Sequence, residues 1–87
     1  MIDAVQAIKI AEEKLPSVVP AFAALHPFVE EVEQSRDGEA WVITFRAKNE
    51  QEKDESSYGS FLPFIEKVVR VASTSGDLLS VLNPSYR

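Results

Sequence analysis

Few side chains in this sequence could do covalent or acid–base chemistry, and their spacing limits them further. There is no cysteine and a single histidine, His26. A serine or threonine nucleophile needs a positioned base beside it, and His26 is the one imidazole available. It precedes Pro27 in a proline-rich stretch, where a ring more often caps backbone groups or faces water than activates a hydroxyl. Carboxylates are plentiful: Glu12 with Glu13, then Glu30, Glu31 and Glu33, then Glu50, Glu52, Asp54 and Glu55. In an extended strand Glu31 and Glu33 point to one face and could hold a hard cation together. No calcium-loop spacing or central glycine accompanies them, so decoration of a solvent face is the stronger reading. Gly38, Gly59 and Gly76 are isolated and form no phosphate cradle. The expectation is no catalytic residue, no metal, no cofactor and no enzyme.

The stretch YGSFLPF, residues 58–64, is the one most open to a binding role. Tyr58, Phe61, Leu62 and Phe64 could form a lip that inserts into a protein partner. Against this, a small domain needs its large side chains, and Phe61 and Phe64 could close one end of the core instead. Tyr58 is then the aromatic left exposed.

These residues need a scaffold. The chain has 87 residues, 45% hydrophobic and 26% charged, which suits one soluble globular domain. Such a length buries only about 60% of its unfolded surface, and without cysteine neither a disulfide nor a thiolate zinc site can staple it. Nine Lys and Arg against fourteen Asp and Glu leave a net charge of −5. Phosphate contacts dominate nucleic-acid affinity, and the scattered basic residues form no stripe to supply them, so nucleic acid is not an expected partner. No run approaches the ~20 apolar residues that cross a bilayer. Asp3, Lys9, Glu12 and Glu13 interrupt any signal-like start. The sequence as written therefore reads as cytoplasmic, or as exported if it is a domain cut from a longer protein.

Residues 2–15 carry Ala4, Val5, Ile8, Ala11 and Leu15 at helical spacing. Asp3 can cap this helix with Gln6 completing a capping box, and Pro16 is expected to end it. Residues 16–27 read as a proline-rich linker, with Pro20 opening a short helical turn over 21–25 that Phe22 and Leu25 pin to a sheet. Residues 28–48 read as a hairpin. Its first strand has Phe28 and Val32 on one side and Glu31 and Glu33 on the other, and Asp37-Gly38 supplies the turn. Its second strand puts Trp41, Ile43, Phe45 and Ala47 on the core face and Val42, Thr44, Arg46 and Lys48 opposite. Residues 49–63 are a loop, acidic (NEQEKDESS) and then aromatic. Residues 64–82 form a second hairpin around the STSGD turn. The expected fold is α+β: one N-terminal helix packed on a four-stranded antiparallel sheet of two hairpins, all in a single domain, 1–87.

The segments DAVQAIKIAEEKL, VEEVEQSRDGEAWVITF and VVRVASTSGDLLSVLN resemble the helix, first hairpin and closing hairpin of PepSY-type domains, about three quarters of the chain. Ala72 stands where that family commonly has Asp before the last turn, Ser75 replaces the usual Thr, and residues 49–64 make a longer connection. The resemblance implies a cystatin-like fold and a non-catalytic protein-binding or inhibitory module. The helix-then-strands layout is also similar to small bacterial immunity proteins, which implies as an alternative an acidic antitoxin-type protein masking a basic toxin surface. The helix covers one sheet face, so a homodimer through the open face, including Val42, Thr44 and Val68, is a further expectation.

Overall fold

The computed structural model describes residues 1–48 and 64–83. Helix α1 (Ala4–Val18) is followed by a single turn, α2 (Pro20–Ala23). Four strands then follow: β1 (Phe28–Gln34), β2 (Ala40–Lys48), β3 (Phe64–Ala72) and β4 (Leu78–Leu82). All neighbours are antiparallel and the order is β1-β2-β3-β4. The helix lies across one face of this sheet, giving the α+β architecture.

The capping box forms as the sequence requires. The Asp3 carboxylate accepts from the Gln6 amide at 2.8 Å, and the Gln6 side chain accepts from the Asp3 amide at 2.9 Å. Ala7, Ala11 and Leu15 make the buried stripe, with Ile8 and Ile10 packed beside it. Two alanines at its centre let the helix lie close on the sheet. Val5 is a correction: it is 74% exposed. At 3.6 residues per turn it lies about 200° round the helix from Ala7, so its spacing from Ile8 put it on the wrong side.

Pro16 does not end the helix, which runs on to Val18. A proline there removes one backbone bond in the last turn, where the chain is exposed and the loss is small. Burial of Leu15 outweighs the local preference against helix before proline, and the Val19 amide still reaches the Leu15 carbonyl at 2.8 Å. Pro20 then opens α2 at its first position, Phe22 is buried, and Leu25 packs on the core. His26 (φ +56°), in the left-handed region, turns the chain into Pro27 and β1.

Strand β2 alternates as expected: Ile43, Phe45 and Ala47 are fully buried under α1, joined by Val69 and Val71 of β3. Trp41 heads the same face, half-buried against this core. Val42, Thr44 and Val68 lie on the other side. Strand β1 departs from simple alternation. Its register with β2 shifts between Val29 and Glu31, so Glu30 is an extra, bulged residue. The bulge lets Val29 and Val32, three apart, both pack on the core. Phe28 was expected beside Val32; it pairs instead with Arg46, faces away from the helix and is 51% exposed. A second bulge in β4 shifts the register between Arg70 and Val71.

One corner ties the elements together. Ser73, buried completely in the β3–β4 turn, donates its amide to the Glu39 carbonyl and its hydroxyl to the Gly38 carbonyl, each at 2.8 Å. Its own carbonyl accepts from the Ile2 amide at 2.8 Å, and the Ile2 carbonyl accepts from the Trp41 indole at 3.1 Å. Both hairpin turns are thereby fastened to the entry of α1. Gly76 in the same turn (φ +78°) sits under the helix, where an added Cβ would lie 3.0 Å from Ile10 Cδ1. Ser73→Ala leaves the Gly38 carbonyl only its longer bond from Gln34 Nε2, at 3.3 Å, and should lower unfolding stability by about 1 kcal/mol. Ser75→Ala, in the exposed part of the turn, should cost less than half as much when both are compared by urea denaturation.

Candidate functional site: the open face of the sheet

Among the described residues no second layer covers the side of the sheet away from α1. Strand pairing arranges that side in rows. Phe28, Arg46 and Glu66 form one; Glu31, Thr44, Val68 and Leu82 the next; Glu33, Val42, Arg70 and Ser80 a third. Exposed apolar side chains rim it: Phe28 at 51%, Phe64 at 39% and Leu82 at 56%. Val42, Thr44 and Val68 fill its middle, half-buried by their neighbours.

Arg46 is the electrostatic centre. Its Nη2 lies 2.8 Å from Glu30 Oε1 and 2.7 Å from Glu66 Oε2, its Nε donates to the same Glu66 oxygen at 3.0 Å, and its guanidinium stands 5.1 Å from the centre of the Phe64 ring. The two carboxyls are driven apart in acidity. Hydrogen bonds from Arg46 hold Glu66 below the ordinary carboxylate value. Glu30 is raised, first by partial loss of hydration and then by its contact with Glu66, which Arg46 only partly offsets. Two carboxyls of unequal acidity meet one formal requirement of acid–base chemistry. Arg46 bridges the two, and the cluster is a charged seam across a face of mixed polar and apolar side chains.

A separate shallow cleft of about 180 Å³ lies between the end of α1, α2 and β2, lined by Leu15, Pro16, Ala23, Pro27 and Phe45 with Glu12 as its one charge. Among the described residues no group of three or more His, Asp or Glu side chains is placed to hold a metal ion. No helix among them is long and apolar enough to cross a membrane.

Of the residues expected in a binding lip, Tyr58, Phe61 and Leu62 lie outside the described residues, as does the acidic stretch 49–57. Phe64 opens β3, opposite Lys48. Glu31 and Glu33 share a face as expected, and the bulge brings Glu30 round to join them. Sequence reasoning missed Arg46 as a centre and Ser80 as a feature. Ser80 Oγ is buried without a hydrogen-bond partner. Comparison with family models, curated proteins and solved structures gives no match for this chain.

Arg46→Met tests the seam by pH. The guanidinium is the main cause that holds Glu66 below its ordinary value, and it offsets part of the rise at Glu30. A carboxyl lowered in the folded state contributes stability above its unfolded value, and that contribution is lost as pH falls through the folded value. The variant should therefore lose more stability at pH 7 than at about pH 4, as read from denaturant midpoints. Equal losses would show that the three side chains are not electrostatically linked.

Proposed function

We propose that this chain is a non-enzymatic protein-binding module whose contact surface is the open face of its sheet. The observation that carries the reading is the bulge at Glu30. It turns Phe28 out of the core onto a face that also exposes Phe64 and Leu82. A small domain that gives up burial of a phenylalanine beside two other exposed apolar side chains has a surface suited to a partner. The charged seam at Arg46 and the glutamates of β1 supply orientation. The order of helix and two hairpins is in keeping with the PepSY-like resemblance and the inhibitory role it implies.

A second reading, an acidic immunity-type protein covering a basic toxin surface, is favoured by one observation: Glu30, Glu31 and Glu33 all project from β1 on this face. Binding that weakens about tenfold or more between about 50 and about 500 mM salt would select it.

The test joins Phe28→Lys with Leu82→Lys, two exposed positions at which a charge leaves the core intact. Partners captured by the wild-type chain from its native cell extract should bind the variant at least about tenfold more weakly. Circular dichroism should show the same fold. Equal capture by the variant contradicts the assignment of this face.

A further inference from the structure

We infer that the open face fits a second copy of this chain, the two copies related by a two-fold axis along the strands. This rests on the protein-binding reading of the face and names its partner. The row Glu33–Val42–Arg70–Ser80 carries the argument. At one end Glu33 is an exposed carboxylate with no salt bridge among the described residues. Toward the other end is Arg70, half-buried and without a salt bridge among the described residues. A row with a carboxylate at one end and a guanidinium toward the other is complementary to itself in reverse.

Two aligned face-to-face arrangements of identical sheets are available, and charge separates them. An axis across the strands lays β1 on β1 and brings Glu30, Glu31 and Glu33 against their own copies. That is a like-charge contact in a chain already at −5. An axis along the strands lays β1 on β4 and β2 on β3. Each row then meets its reverse. Glu33 comes over Ser80 and beside Arg70 of the second copy, and Thr44 meets Val68 at the centre. Arg46 comes over Glu66 in the neighbouring row. Glu31 over Leu82 and Arg70 over Val42 are the mismatched pairs, so the contact of Glu33 with Arg70, made twice by the symmetry, carries the pairing. The contact is isologous, as a two-fold requires.

Sedimentation equilibrium of the chain between about 1 and about 500 µM tests this, because dimerisation is concentration-dependent. The wild type should dimerise. Glu33→Arg and Arg70→Glu should each weaken the dimer by about tenfold or more, because each makes the row like-charged against its own reverse. An equimolar mixture of the two variants should regain the wild-type dimer or exceed it, since each then presents the charge the other lacks. Circular dichroism of each variant checks its fold. A wild type that stays monomeric throughout overturns the inference, as does a dimer indifferent to both reversals. So does a dimer dissociated only by Leu79→Lys, which would place the contact on the β4 edge. A monomeric wild type whose Phe28→Lys, Leu82→Lys variant still loses its captured protein would remove the second copy and leave the binding face standing.

Discussion

The fold hangs on a buried serine with every polar group occupied. Ser73 has no water to fall back on, so its amide, hydroxyl and carbonyl must each find a protein partner. They find them in the β1–β2 turn and at Ile2, 35 residues away and more than 70. Ile2 in turn receives the Trp41 indole. The nine-residue β2–β3 ladder already holds the two hairpins in register. A helix held only by alanines and a few aliphatic side chains could still rotate on the sheet. The Ser73 corner ties both hairpin turns to the start of that helix with four hydrogen bonds.

From that fixed corner the two sheet faces take different fates. On the helix side, Ala7 and Ala11 let α1 approach closely, and Ile43, Phe45, Val69 and Val71 are sealed. On the other side, β1 decides the chemistry. Its bulge keeps two valines inside while turning Phe28 and Glu30 outward beside Glu31 and Glu33, so one irregular residue both completes the core and builds the contact face. A bulge is a natural device for re-aiming side chains.

Local signals in the sequence were enough for much of this. The Asp3–Gln6 box, the Asp37-Gly38 turn and the alternation from Trp41 to Ala47 are set by residues within a few positions of one another, and the structure has all of them. What escaped was non-local or irregular. Pro16 reads as a stop unless burial of Leu15 is known. Phe28 reads as core unless the bulge at Glu30 is known, because a strict period of two assigns it that face. Arg46 meets Glu66 only through the β2–β3 register, twenty residues apart, and no pattern in either strand announces it. Ser73 looked like any turn serine. Its importance comes from the turn that packs over it and from the chain's second residue.

Amide hydrogen exchange followed by NMR addresses the corner without altering it. If the corner is as tight as described, the amides of Ile2 and Ser73 exchange only when the whole domain unfolds, with the same free energy and denaturant dependence as Val69 in the central strand β3. Exchange of Ile2 and Ser73 at the rate of a fraying terminus, while Val69 stays protected, would contradict the account.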